Sequence, residues 1–230
     1  MATFVLVHGA WHGAWCWDRV APLLTAAGHR VTTPTLSGLG ERRHDPPGHV
    51  RLDTHIDDVT EHLWFHDLED VVLVAHSYAG FVAAGVVARA HERIGRLVLL
   101  DGFVPATDEA MTHHVGERGA QYRAAFEEDP DWRIPPAPLH ALGVTDPADV
   151  AWAEPRLTAQ PVRTYLEPAG AVDLRVIANR LYIVCTAPGL PVLEESRSRV
   201  RAAGWPVAEL AAGHDAMVTH PREIADLVAG

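Results

Sequence analysis

The run Val71-Val72-Leu73-Val74-Ala75-His76-Ser77-Tyr78-Ala79-Gly80 carries a continuous apolar strand into a serine and then into a helix rich in small residues. A serine on a sharp strand-to-helix turn stands clear of the sheet edge, and small residues two positions to either side let strand and helix approach. Here those residues are Ala75 and Ala79. The pattern fits Ser77 as a nucleophile toward a carbonyl carbon; on this fragment alone, a serine that merely caps the following helix is the competing reading. A hydroxyl attacks only when a base takes its proton, so the chemistry demands a histidine at the same edge. Gly213-His214-Asp215, directly after the last apolar strand, supplies His214, whereas His62 and His91 fall within or beside helices and His29 follows a helix end.

A tetrahedral intermediate also needs two preorganised backbone donors. His8-Gly9-Ala10-Trp11-His12-Gly13-Ala14-Trp15 follows the first strand, and its glycines let the main chain turn an N–H inward. The expected oxyanion donors are the N–H groups of Ala10 and of Tyr78, the residue after the nucleophile. A phosphate-cradling loop is excluded, because neither G-x-G-x-x-G nor GK[ST] occurs here. His8 and His12 have an i,i+4 spacing, but the glycines at 9 and 13 make this a loop rather than a metal-presenting helix, so no metal is expected.

The elements that must position these residues alternate. Phe4–Val7, Val31–Thr33, Val71–Ala75 and Leu97–Leu100 read as buried strands, separated by helical patterns at Asp18–Ala27, Leu52–Phe65 and Tyr78–Ala90. From about residue 104 to 168 the alternation gives way to prolines, paired histidines and scattered tryptophans, which reads as a cap inserted into one domain spanning residues 1–230. Strand Leu181–Cys185, helix Val192–Ala203, strand Val207–Leu210 and helix Arg222–Val228 then resume the pattern. Such alternation implies an α/β fold with a mostly parallel sheet and helices on both faces.

The chain has 230 residues, 48% of them hydrophobic, enough for one sizeable core. Its formal charge of −11 disfavours a nucleic-acid backbone or an anionic membrane as partner, since both require clustered positive charge. Cys16 and Cys185 sit far apart in apolar runs, no signal-like N-terminus is visible and no apolar run reaches membrane-spanning length, so a reducing cytoplasm is expected.

Four segments together resemble a known family: His8-Gly-Ala-Trp-His-Gly-Ala-Trp-Cys-Trp17, Leu36-Ser-Gly-Leu-Gly-Glu-Arg42, the turn at Ser77, and Gly213-His-Asp-Ala-Met217. They are similar, in order and over nearly the whole chain, to the α/β-hydrolase branch of plant methyl esterases, hydroxynitrile lyases and bacterial pyrethroid-hydrolase-like esterases. The resemblance implies an α/β-hydrolase fold with a helical cap, a Ser-His-acid triad, an oxyanion hole and no cofactor. Hydroxynitrile lyases of the branch carry threonine at the place of Gly9 and lysine at the place of Asp215, so the resemblance points away from lyase chemistry.

The family usually sets its triad acid on the loop after the strand Leu181–Cys185, but Thr186-Ala187-Pro188-Gly189-Leu190-Pro191 holds no carboxylate. Asp101 is the favoured replacement: it ends the strand Arg96–Leu100 and should emerge at the same edge as Ser77 and His214. Asp101-Gly102 also reads as a turn, where aspartate commonly bonds its own backbone. Glu194 and Glu195 compete, although Pro191 should open a helix that carries them off. Asp215 would have to fold back on its neighbour.

The leading function is hydrolysis of a small to medium, largely apolar carboxylic ester through an acyl-enzyme. Two alternatives stand beside it: the same site working on lactones, thioesters, C–C bonds or a cyclisation in secondary metabolism, and a receptor that binds without turnover. The expected partner is a small-molecule ester, with neither nucleic acid nor membrane; the sequence does not set the oligomeric state and is compatible with a homodimer.

Overall fold

A computed structural model describes every residue from Met1 to Gly230. In chain order the strands are β1 (Thr3–Val7), β2 (Arg30–Thr32), β3 (Val71–His76), β4 (Ile94–Leu100), β5 (Arg133–Ile134), β6 (Gln160–Pro161), β7 (Asn179–Cys185) and β8 (Val207–Leu210). The helices are α1 (Ala21–Ala26), α2 (Leu52–Phe65), α3 (Ala79–Ala90), α4 (Arg118–Glu128), α5 (Pro147–Ala153), α6 (Arg163–Leu166), α7 (Glu194–Ala202), α8 (Ala216–Thr219) and α9 (Pro221–Ala229). Six strands form one parallel sheet in the order β2-β1-β3-β4-β7-β8; β5 and β6 form a separate antiparallel pair. This is the α/β-hydrolase fold, with helices on both faces of the sheet.

The period of two along each strand divides the core. Val5, Val7, Leu73, Ala75, Leu97 and Leu99 point toward α2, α3 and α7, while Phe4, Leu6, Val72, Val74, Val98 and Leu100 point toward α1, α8 and α9. β3 and the upper part of β4 are covered on both faces, which is why they read as unbroken apolar runs. In α2 the apolar residues Leu52, Ile56, Val59 and Leu63 fall on one buried stripe, and the Arg51 N–H donates to Thr54 Oγ1 at 3.1 Å across the first turn.

Four element starts differ from the sequence pattern by more than one residue. The helix expected over Asp18–Ala27 begins only at Ala21, because Ala14–Trp17 is already wound into a 3₁₀ turn that buries Cys16 and Trp17. The helix expected from Val192 begins at Glu194, after a 3₁₀ turn at Pro191–Leu193. β4 and β7 both start earlier than their apolar stretches, since Arg96 pairs with Asn179 and Leu97 with Arg180. Ladder pairing extends a strand into polar residues that hydropathy alone does not mark.

Between β4 and β7 the chain leaves the sheet. Its elements are 3₁₀ turns at Met111–His113, Leu139–Leu142, Glu154–Arg156 and Leu174–Val176, with α4, the β5–β6 pair, α5 and α6. Asp146 caps α5, accepting the Ala148 N–H at 2.8 Å, and the Trp152 ring packs edge-on against Trp15, 5.3 Å between centroids. No helix is long and apolar enough to cross a membrane. Cys16 and Cys185 are both free thiols in the core.

Candidate active site

All six strands of the main sheet run the same way, so the residues that follow them gather at one edge. Ser77 follows β3 with φ +54°, in the left-handed region that non-glycine residues rarely occupy. The strain is held by its surroundings: the Ser77 carbonyl accepts the N–H groups of Gly80 and Phe103, each at 3.0 Å, and the Ser77 N–H donates to the Leu100 carbonyl. The sequence pattern singled out Ala75 and Ala79 as the small residues; the closest approach is instead at Gly80, where a Cβ would lie 1.9 Å from the Phe103 carbonyl oxygen. Only glycine lets the turn after β4 clamp the serine in place.

His214 Nε2 lies 2.8 Å from Ser77 Oγ, positioned to accept the hydroxyl proton. The opposite nitrogen, Nδ1, lies 2.7 Å from Asp101 Oδ2 and donates to it. Asp101 follows β4 with φ +41°, and its second oxygen accepts the Cys185 N–H at 3.3 Å and an N–H of Arg197 at 3.0 Å. Burial alone would raise the Asp101 pKa, but the hydrogen bonds and charges of His214 and Arg197 outweigh it and hold the carboxyl below the usual carboxylate range. The three groups thus form one hydrogen-bonded row, Ser77 to His214 to Asp101.

The competing acids point elsewhere. Glu194 and Glu195 are exposed on α7 and pair with Arg201 and Arg199. Asp215 is fully buried but makes no hydrogen bond to the His214 ring; its Oδ2 is taken up instead by His12, whose Nε2 lies 3.1 Å away. Arg197 carried no signal in the sequence pattern, being one of several arginines on a polar helix. Only the folded chain shows that it reaches back to β4.

The loop after β1 lies directly against the serine: a Cβ added at Gly9 would stand 2.9 Å from Ser77 Cβ and 2.9 Å from His76 Nδ1. The next residue, Ala10, and Tyr78 both keep their N–H groups free of any acceptor within the protein. Trp11, with φ +68°, fastens this loop outward: its N–H donates to Gln160 Oε1, its indole to the Ile134 carbonyl, and its own carbonyl accepts the Thr158 N–H. Above Ser77 and His214 lies a cavity of about 710 Å³. Its wall is mainly apolar, with Trp11, Phe103, Met111, Tyr122, Trp132 and Tyr165 contributing the large surfaces.

Residues 4–227 match the alpha/beta hydrolase family. The chain belongs to that family. Over its full length it is 38% identical to a carbendazim hydrolyzing esterase of Nocardioides sp. (strain SG-4G), covering 99% of that protein. Over 51% of this chain and 45% of the other it is 41% identical to methylesterase 1 of Arabidopsis thaliana. Among solved structures, an extracellular alpha/beta-hydrolase from a Paenibacillus species superposes with a TM-score of 0.83 at 24% identity, covering 100% of this chain and 98% of that one, and shares its fold.

Proposed function

We propose that this family member is a serine esterase that cleaves a small to medium, largely apolar carboxylic ester through an acyl-enzyme. The observation that carries the proposal is the hydrogen-bonded row Ser77–His214–Asp101, with distances of 2.8 and 2.7 Å, opening into an apolar cavity. Esterase names among the relatives, including the full-length one, support it.

In the first half-reaction His214 Nε2 takes the Ser77 proton as Oγ attacks the ester carbonyl. The oxyanion that forms accepts hydrogen bonds from the Ala10 and Tyr78 amides, the two donors with no acceptor of their own. Asp101 fixes the His214 tautomer and stabilises the imidazolium. His214 then protonates the leaving alkoxide, and the alcohol departs. In the second half-reaction a water attacks the acyl-Ser77 carbonyl while His214 again serves as base, and collapse of the second intermediate returns Ser77 and releases the acid. The segment from about residue 104 to 168 acts as a cap whose aromatic side chains select the ester.

Lyase chemistry of the hydroxynitrile type fits less well. A cation beside the catalytic histidine would have to stabilise a leaving cyanide, and Asp215 stands there instead.

The test is turnover of short-chain chromogenic esters by the wild type and by Ser77→Ala. Loss of the covalent route should lower kcat by about 10³-fold or more, because oxyanion binding alone leaves only a residue of catalysis. A Ser77→Ala protein that keeps near-normal turnover overturns the proposal.

A further inference from the structure

Besides His114 in the cavity wall, five buried histidines stand at or beneath the sheet edge. Their hydrogen bonds assign most of their protons. His8 Nδ1 donates to the Gly9 carbonyl and Nε2 accepts the Leu36 N–H, so its ring is neutral. His55 Nε2 donates to the Ser37 carbonyl while Nδ1 faces the Tyr78 hydroxyl, and His76 Nε2 donates to the His214 carbonyl while Nδ1 has no partner. Burial, the largest influence on each, keeps all three neutral, with the pKa of His8 and His76 pushed down to about 3 and that of His55 to about 4. His214 is the fourth, placed between Ser77 and Asp101.

His12 differs from all of them. Its Nδ1 lies 2.7 Å from the Ala10 carbonyl oxygen and its Nε2 lies 3.1 Å from Asp215 Oδ2. Both nitrogens face oxygens, and with Asp215 ionised, a state that can only accept, both nitrogens carry protons. We propose that His12 and Asp215 form a buried imidazolium–carboxylate couple that locks the oxyanion loop to the loop of His214, and that His12 and Asp215 are positioning residues for the esterase. The inference rests on the serine-esterase reading for its kinetic consequence, not for the charge of the couple.

The geometry makes the connection short. Ala10 provides a proposed oxyanion N–H, and the same residue's carbonyl is gripped by His12 Nδ1–H. Asp215 directly follows His214, and its N–H donates to the Leu142 carbonyl at 3.0 Å. Thus one ring spans from the donor that receives the oxyanion to the residue beside the base. A buried couple of this kind costs desolvation, and truncating one partner leaves the other unpaired, whereas replacing both with a neutral pair does not.

The surroundings select Asp215 as the anion. Facing the couple are His76 from the end of β3, 6.1 Å from His12 between ring centroids and with Nε2 3.9 Å from Asp215 Oδ1, His214 beside it, His8 from the end of β1, Cys16 from the 3₁₀ turn, and Asp101 behind His214. Trp15 stacks on His12 at 5.2 Å. Burial pushes the Cys16 thiol up, so it stays neutral, and Asp101 is engaged with His214 and Arg197. Burial opposes charge on both His12 and Asp215, yet their mutual attraction and hydrogen bond outweigh it, raising His12 and lowering Asp215.

The experiment has two arms on the full-length chain. In the first, long-range ¹H–¹⁵N spectra of protein labelled in the histidine rings are recorded at about pH 7.5, where a free histidine is mostly neutral. His12, assigned by loss of its signals in His12→Gln, should show two protonated nitrogens, and Asp215→Asn should convert it to a single neutral tautomer. A neutral His12 in the wild type overturns the couple. In the second arm, Asp215→Asn should lower kcat on a chromogenic acetate ester by about 10-fold or more, less than loss of an oxyanion donor itself, with KM within about twofold. The double variant His12→Gln/Asp215→Asn, a neutral hydrogen-bonded pair, should fold and recover part of that kcat; if Asp215→Asn fails to fold, the double variant carries the comparison with wild type. Unchanged kcat in Asp215→Asn, or a double variant no better than the single, overturns the positioning role. Ser77→Ala run alongside separates the readings: retained turnover there defeats the esterase, while the ring spectra still judge the couple.

Discussion

The sheet edge and the segment that covers it are built by opposite means. At the edge, ten of the twelve residues of α3 are buried, and the groups that meet Ser77 come from the turns that follow β1, β3, β4 and β8. In the cover, α4 buries only Gly119, and the segment is fixed by Met111, Ile134, Val162 and Tyr165, which join the main core, and by separate polar ties, among them the Trp11 loop, the Ala110–Pro168 bridge and the ion pair of Glu109 with Arg199. The chemistry of ester cleavage is the same for every ester and needs sub-ångström placement, so it belongs on the rigid part. Selectivity needs only a wall of suitable shape. A wall whose side chains lie outside the row of hydrogen bonds can be changed without disturbing that row, and this is how one fold hosts relatives with different substrates.

The sharpest way to break the comparison is at the acid. Asp101→Asn keeps the shape of the row but presents a group that cannot hold His214 in the required tautomer or stabilise its cation. The expected loss in kcat is about 10²–10⁴-fold, with Glu194→Gln and Glu195→Gln each within about twofold of wild type. A larger loss in either glutamine variant on the same ester would move the acid off the sheet edge.

Next in size is a stability effect confined to the edge. Gly80→Ala drives a methyl group into the Phe103 carbonyl, and overpacking at a rigid backbone contact costs about 1–3 kcal/mol. Ala124→Gly, on the exposed face of α4, costs only its helix propensity, about 1 kcal/mol or less. Urea unfolding of the two variants measures both. Equal costs would mean that the cover is as tightly determined as the edge.

A wall substitution should act on selectivity. Trp132→Ala removes a large apolar surface from the cavity and is expected to raise KM for a bulky aromatic ester by about 10-fold, the worth of one good apolar contact, while a short acetate is little affected. Parallel loss on both esters would show that Trp132 supports the chemistry and not the wall.

What was legible before folding follows the same division. The strand running into Ser77, the glycine-flanked His214 and the loop after β1 are local patterns, and parallel strands dictate that residues at their ends meet; Asp101 could be named on that ground once the loop after Leu181–Cys185, where the resemblance looks for the acid, held no carboxylate. Arg197, the role of Gly80 and the pairing of His12 with Asp215 were not legible. Each depends on a partner distant in the chain, 203 residues away in the case of His12, and no short-range pattern encodes such a meeting. The element starts were misjudged where a 3₁₀ turn or a ladder partner, not hydropathy, set the boundary, as at α1 and β7.

The smallest effect tests the fastening of the cover itself. Glu109 accepts two hydrogen bonds from Arg199, at 2.5 and 2.9 Å, another from the Ala106 N–H at 2.8 Å, and lies 3.1 Å from His114 Nε2. The Arg199 hydrogen bonds, more than any other influence, bring the Glu109 pKa down to about 2. A carboxyl depressed in the folded state contributes stability that is complete above its unfolded value, about 4.3, and that disappears as pH falls toward the folded value. Because solvent screens a partly exposed pair, the contribution is at most about 1 kcal/mol. Thermal unfolding of the wild type between about pH 5 and pH 2 should therefore fall more steeply than that of Glu109→Gln, which has no carboxyl to protonate there. At neutral pH the variant should lose little stability and keep its kcat, since Glu109 reaches the cavity only through His114 and meets none of Ser77, His214 and Asp101. Parallel pH profiles would remove Glu109 from the fastening, and a loss of kcat at neutral pH would show that the cover and the sheet edge are more tightly coupled than their packing implies.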